Sequence, residues 1–181
     1  MTAIQLVALI VAAMRVVELA VANRNTRALL RAGGIERGRS QYPVIVLFHA
    51  LWLASLLLLI PADAPIYWTW LGVFAVLQVA RVWVIASLGR FWTTRVITLP
   101  GAPLVRRGPY RFIRHPNYLV VALEIPVLPL AFGAWSVAVA FGLFNLGLLA
   151  WRIAIEERAL APRRDLDPES QSFSAPHTSP L

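Results

Sequence analysis

The stretch that decides how this chain is organised is residues 104–118, which read LVRRGPYRFIRHPNY. These fifteen positions hold four arginines, two tyrosines, a histidine and two prolines. A plain connecting loop does not need so many rigid, aromatic and basic groups together, whereas binding sites are often built on such loops. We therefore interpret the segment as one half of a cofactor site. We place the other half near the C-terminus, around Arg152, Glu156 and Glu157.

The composition of the rest of the chain is that of a membrane protein. Of its 181 residues, 59% are hydrophobic and 14% are charged, and the mean hydropathy is +0.66. These values are too apolar for a soluble globule, and the length suits one domain. The chain has no cysteine, which excludes disulfide and thiolate chemistry. Its net charge of +8 comes from arginines that lie in loops between apolar segments, which indicates membrane topology and not nucleic-acid binding.

Five apolar segments predict an all-α, polytopic integral membrane protein with five transmembrane helices. The β-branched residues around a Pro-Gly-Ala-Pro turn at residues 100–103 predict a short cytosolic β-hairpin or loop in the cofactor site. Residues 1–160 form the predicted membrane domain, and residues 161–181, rich in Pro, Ser, Asp and Arg, a disordered tail. The predicted spans are residues 3–22, 44–60, 66–88, 118–131 and 134–155.

The distribution of arginine predicts the orientation of these spans. Residues 23–42 contain five arginines, residues 89–117 contain six and the C-terminal flank contains four, whereas the turns at residues 61–65 and 132–133 contain none. Arginine-rich loops stay in the cytosol. The N-terminus is therefore expected outside, and the C-terminus and both halves of the site are expected on the cytosolic side.

Several polar residues lie inside the predicted spans. Arg15 with Glu18, and Gln78 with Arg81, have the i,i+3 spacing of neighbours on one helical face. These pairs either line a substrate tunnel or pack the helices together. The fourth span contains Glu124 and two prolines, Pro126 and Pro129, so we expect a kinked or broken helix that lines the substrate entry.

The candidate site residues have spacings that suit a shared pocket. Arg152 and Glu156 are four residues apart on one helical face, and Glu157 lies about 100° further round. Pro116 suits the first turn of the fourth helix, which places His115 at the membrane surface. No metal is expected, because no carboxylate stands at ligand spacing from His49, His115 or His177. No hydrolase triad, phosphate loop or dinucleotide fingerprint is present.

Taken together, the motifs Leu104-Val105, Gly108-Pro109-Tyr110, Arg114-His115-Pro116-Asn117-Tyr118 and the pair Arg152 and Glu156 resemble the isoprenylcysteine carboxyl methyltransferase family over roughly residues 66–160. The resemblance implies S-adenosylmethionine as cofactor, bound in a cytosol-facing pocket. It also implies that Arg152 holds the substrate carboxylate and that Arg152 and Glu156 are catalytic. Pro162-Arg163-Arg164-Asp165 replaces the Phe-Gly-Glu-x-Tyr stretch usual in the family. The cofactor contacts carried over from the resemblance are Leu104, Val105, Tyr110, His115, Pro116, Asn117, Tyr118 and Glu156.

The predicted function is an O-methyltransferase acting on a lipophilic substrate in the lipid bilayer of a bacterial inner membrane. The acceptor is either an isoprenylcysteine-type carboxylate, which needs no base, or a long-chain aromatic or pyrone lipid hydroxyl. A hydroxyl needs a proton acceptor, with Glu156, Glu157 or His115 as candidates. The alternatives are a phospholipid N-methyltransferase, which shares the motif pattern, an NADPH-dependent membrane lipid reductase, and a non-catalytic membrane protein.

Overall fold

A computed structural model describes residues 2–164, and it consists mostly of helices. Four of its helices are long and apolar enough to cross a membrane, and a fifth is apolar but shorter. The prediction of a helical membrane protein is thus confirmed. The helices are α1 (Ala3–Arg31), α2 (Gln41–Leu58), α3 (Trp68–Leu88), α4 (Pro116–Leu130) and α5 (Trp135–Arg164), and the strands are β1 (Ile35–Arg37) and β2 (Val96–Thr98).

The two terminal helices extend well beyond their predicted ends. α1 begins at a capping box formed by Thr2 and Gln5 and continues through residues 23–31, which we expected to form a loop. It ends where Gly33 adopts a left-handed conformation and the Gly34 amide donates to the Leu29 carbonyl. α5 continues to Arg164, so the predicted tail is wrong at residues 161–164. The rest of that tail, residues 165–181, lies outside the described residues.

α4 is one uninterrupted helix, so of the two predicted alternatives, a kinked or a broken helix, the broken helix is wrong. Its two internal prolines lie near its C-terminal end, where little of the helix remains to be disrupted. Pro129 lacks an N–H and leaves the carbonyl of Ile125 without its usual helical donor. The buried indole of Trp52 on α2 supplies that donor, with Nε1 3.0 Å from the Ile125 oxygen. A neighbouring helix therefore satisfies the backbone group that the proline frees.

The predicted hairpin is also wrong. Residues 96–98 do form a strand, but β2 pairs antiparallel with β1, with Ile35 opposite Thr98. Pro100 and Pro103 have no N–H to donate to a second local strand. β1 is a better partner because its Glu36 also binds Arg95, with Nη1 and Oε1 3.3 Å apart.

The polar residues inside the spans contact one another and join three helices. Arg81 of α3 donates to Glu18 of α1 at 2.8 Å and to Glu124 of α4 at 2.9 Å. Gln78 donates to Glu124 at 2.7 Å, and Arg15 reaches Glu18 at 2.8 Å and Glu124 at 3.3 Å. Two arginines balance two glutamates, as burial in a membrane requires. We call these five residues the interhelical network.

The loops gather at two opposite ends of the helices. At one end the turn before α3 meets the turn after α4, where the Tyr67 amide donates to the Ala131 carbonyl at 2.9 Å. At the other end Asn25, near the end of α1, donates to the carbonyls of Gly89 and Trp92 at 3.0 and 2.9 Å. This second end also carries the two-stranded sheet and the polar segment of residues 104–118. We call it the site end.

Candidate active site

A cavity of about 430 Å³ opens at the site end, between the end of α3, the polar segment, the start of α4 and the last turns of α5. Eight of the nine predicted site residues line it. The ninth, Pro116, is instead the buried first residue of α4. The eight lining residues are Leu104, Val105, Tyr110, His115, Asn117, Tyr118, Arg152 and Glu156.

The Gly-Pro-Tyr segment is fixed against the end of α3. Gly108 has a φ of +57°, and a β-carbon there would lie 2.2 Å from the hydroxyl oxygen of Ser87, so only glycine fits. Arg107 donates from Nε to the Ser87 carbonyl at 2.6 Å. Burial raises the pKa of the Tyr110 phenol, and the Glu156 carboxylate raises it further. Tyr110 therefore remains a neutral hydrogen-bond donor in the cavity wall.

The start of α4 brings His115 and Tyr118 together. His115 precedes the first helical residue, and its carbonyl accepts from the Tyr118 amide at 3.1 Å. The proline in the first turn is as predicted. This turn stacks the His115 and Tyr118 rings with their centroids 5.4 Å apart. Both polar tips then face α5.

Two adjacent glutamates of α5 contact the polar atoms of both rings. His115 Nε2 lies 2.6 Å from Glu157 Oε1, and His115 Nδ1 lies 3.7 Å from Glu156 Oε1. The Tyr118 hydroxyl donates to Glu156 Oε2. Glu157, which lies off the Arg152–Glu156 face in the sequence, thus also reaches the site. We call His115, Tyr118, Glu156 and Glu157 the acid–ring cluster.

Arg152 extends this cluster. Its Nε donates to the Tyr118 hydroxyl at 3.0 Å, and its Nη2 donates to the Thr94 carbonyl at 2.8 Å. The guanidinium therefore orients both Tyr118 and the backbone that leads into β2. Sequence reasoning predicted a catalytic and substrate-binding Arg152 but not its contact with Thr94, because that contact joins residues far apart in the chain.

Sequence reasoning also missed several residues of the cavity wall. Phe91, Trp92 and Thr93 line it directly after α3. The sequence feature that could have indicated them is a pair of aromatic residues beside a threonine, directly after a predicted span. Arg163 lines the cavity too, although its sequence context suggested a tail. Within residues 2–164, no group of three or more His, Cys, Asp or Glu side chains could hold a metal ion.

Comparison with known proteins assigns the family. Residues 70–162 match the model of the isoprenylcysteine carboxyl methyltransferase (ICMT) family, and the chain belongs to that family. Membership identifies it as an integral membrane methyltransferase, and it confirms the resemblance found in the motifs.

Two bacterial relatives match over most of their length. The protein of Bacillus subtilis named "Uncharacterized protein YpbQ" is 42% identical over 151 residues, which are 81% of this chain and 89% of the relative. A Haemophilus influenzae protein named "Uncharacterized protein" is 27% identical over 154 residues, 82% of this chain and 90% of the relative. No solved structure matches the chain significantly.

Proposed function

We propose that the chain is an S-adenosylmethionine-dependent O-methyltransferase that acts on a lipophilic acceptor at the cytosolic face of a bacterial inner membrane. The observation that carries this proposal is the acid–ring cluster, which brings the two motif halves into hydrogen-bond contact within one cavity. Family membership supplies the reaction type.

The cavity suits a ligand with both positive and negative groups. Its volume of about 430 Å³ lies in the range of small-molecule sites. Its walls combine the carboxylates of Glu156 and Glu157 with several arginines, among them Arg114 and Arg152. Carboxylates favour the ammonium and sulfonium charges of S-adenosylmethionine, and guanidinium groups favour its carboxylate. Leu104 and Val105 offer apolar surface to the adenosine. The residues present therefore fit this cofactor.

The contributions of the protein to the reaction are positioning and exclusion of water. When bound, S-adenosylmethionine supplies an electrophilic methyl group for an in-line displacement. Tyr118 and Arg152 fix the carboxylate of Glu156, and Glu157 fixes the ring of His115. Fixed partners of this kind hold reactants in line, which can supply much of the acceleration. A carboxylate acceptor needs only orientation by Arg152, whereas a hydroxyl acceptor can give its proton to His115.

The proposed placement is five spans, with the N-terminus outside and the site end in the cytosol. It is supported by the arginines, which are concentrated at the site end and absent from residues 61–65 and 132–133. α4 is only 15 residues long, or about 22 Å. Because most of its residues are buried against α3 and α5, a short helix can serve there as the fifth span.

Titration of S-adenosylmethionine into the detergent-purified protein tests the cofactor. We expect wild type to bind, His115→Ala to weaken binding by about tenfold or more, and His49→Ala to match wild type. His49 is a suitable control because it lies on α2, where its ring contacts the Ile45 carbonyl. A folded wild type that fails to bind would refute the proposal, and NADPH would then be titrated.

The acceptor class is tested by transfer of a labelled methyl group. A prenylated N-acetylcysteine, a long-chain alkylphenol and phosphatidylethanolamine are compared at equal concentrations in the same detergent. Transfer to either of the first two supports the proposal and selects the acceptor chemistry. Transfer only to phosphatidylethanolamine would identify a phospholipid N-methyltransferase instead.

A further inference from the structure

The last turn of α5 contacts the backbone just before the predicted cofactor contacts. Arg163 is only 6% exposed. Its Nε donates to the Ala102 carbonyl at 2.7 Å, and its Nη2 donates to the Pro103 carbonyl at 2.8 Å. The next two residues, Leu104 and Val105, line the cavity. One guanidinium thus holds the backbone at the entry to that wall.

Among residues 2–164, few other hydrogen bonds fix the turn that Arg163 holds. One backbone hydrogen bond between described residues closes it, from the Ala102 amide to the Leu99 carbonyl at 3.2 Å, with Gly101 at a φ of +74°. The flanking prolines, Pro100 and Pro103, have no amide hydrogen to donate. Two charge-assisted hydrogen bonds to successive carbonyls are therefore a large part of what fixes this turn.

Arg163 also lies against a second part of the cavity wall, formed by Phe91. Its guanidinium carbon lies 5.8 Å from the ring centroid of Phe91, which lines the cavity after α3. The planar guanidinium group donates to two successive carbonyls in a fixed fork and can lie flat against a ring at the same time, whereas the compact ammonium of lysine has no fixed donor geometry. Arg163 therefore connects α5, the turn at residues 99–103 and the Phe91 wall.

We propose that Arg163 is a positioning residue that holds the turn at residues 99–103 and thereby sets the Leu104-Val105 wall of the cofactor cavity. It stands in the Pro162-Arg163-Arg164-Asp165 segment, where this chain departs from the usual family pattern. The identity of the ligand at that wall, S-adenosylmethionine, rests on the proposed function. The mechanical role of Arg163, which is to hold the turn, does not depend on that function.

Limited trypsin digestion without ligand tests the mechanical role. Arg106 and Arg107 are cleavage sites directly beyond the held segment, and fragments ending there are quantified by mass spectrometry. We expect Arg163→Ala to accelerate cleavage there about tenfold or more. We expect Arg163→Lys to behave much like Arg163→Ala, because lysine keeps the charge but lacks the planar fork. Arg158→Ala, an exposed residue of the same helix, is the matched control and should match wild type.

Binding of S-adenosylmethionine to the same variants tests the consequence for the site. The dissociation constant should rise about tenfold in Arg163→Ala and Arg163→Lys, with the thermal midpoint close to wild type. Unchanged cleavage and unchanged affinity in both variants would overturn the inference. So would full rescue by lysine, or cleavage that accelerates equally at every site with a lowered midpoint. If wild type does not bind the cofactor, the proposed function fails, and the digestion still decides the role of Arg163.

Discussion

At the residue scale, Glu156 is the carboxylate that connects the parts of the site. It accepts from the Tyr118 hydroxyl and lies 3.7 Å from His115 Nδ1. Glu156→Gln keeps the shape and an acceptor for Tyr118 but removes the negative charge. We expect the dissociation constant for S-adenosylmethionine to rise at least about tenfold, since a cationic ligand loses a charged partner. Calorimetry in detergent measures this.

The stability of Glu156→Gln should change little, because glutamine keeps the shape of the side chain and an oxygen that accepts from the Tyr118 hydroxyl. Asp63→Asn is the matched control, since it removes a carboxylate from the turn at residues 61–65 and should leave affinity unchanged. Equal affinity of Glu156→Gln and wild type would contradict a charged role for Glu156.

How far the site could be predicted depends on the distance of each contact along the chain. The motif residues His115 and Tyr118 are neighbours on one helical turn, so their proximity follows from local geometry. The same holds for Glu156 and Glu157. The contact of Arg152 with Thr94 joins residues 58 apart, and no local pattern encodes it. Arg163 was missed for the same reason.

At the scale of elements, the Gly-Pro-Tyr segment depends on close approach to α3. Gly108→Ala places a methyl group 2.2 Å from the Ser87 hydroxyl and requires a φ near +57°. Such strain costs about 1–3 kcal/mol. We expect weaker cofactor binding together with a lowered thermal midpoint, measured by calorimetry and thermal denaturation. Gly72→Ala, on α3 with open space around its backbone, should be neutral. A Gly108→Ala variant with wild-type affinity and midpoint would show that the segment can move away.

The interhelical network joins α1, α3 and α4, so we expect it to contribute to stability. Glu124→Gln leaves two arginines with one carboxylate inside the membrane. Removing one partner of a buried ion pair costs about 3–5 kcal/mol. Arg81→Gln combined with Glu124→Gln removes both charges of one pair, so its cost should be less than the sum of the single variants. Denaturation in mixed micelles measures each. Additive losses would mean that the two side chains do not interact.

The elements show where sequence patterns fail. The apolar segments gave five helices, but α1 and α5 extend beyond the apolar residues because the adjoining arginine-rich stretches remain compatible with helix. The prediction of a local hairpin was wrong because β2 pairs with β1, a strand about 60 residues earlier in the chain. The Ile125 carbonyl that Pro129 frees is satisfied by Trp52, a donor on another helix that no property of the α4 sequence reveals.

At the scale of the whole molecule, the proposed function requires the site end to face the cytosol. The chain has no cysteine, so a single introduced cysteine reports its own location. Ala62→Cys lies exposed in the turn at residues 61–65, and Ala32→Cys lies exposed where α1 ends, at the site end. In intact bacterial cells with a permeable outer membrane, a membrane-impermeant maleimide should label Ala62→Cys. It should label Ala32→Cys only after lysis, because the arginines hold the site end inside.

Inside-out vesicles should reverse the pattern of labelling, which controls for the intrinsic reactivity of each cysteine. The opposite result in cells would place the acid–ring cluster outside and would contradict a cytosolic methyl donor. Labelling of both cysteines in intact cells would mean that both ends reach the same side. Such a result would be incompatible with five crossings, since residues 32 and 62 are separated by one helix, α2. The orientation test is thus also a test of whether α2 spans the membrane.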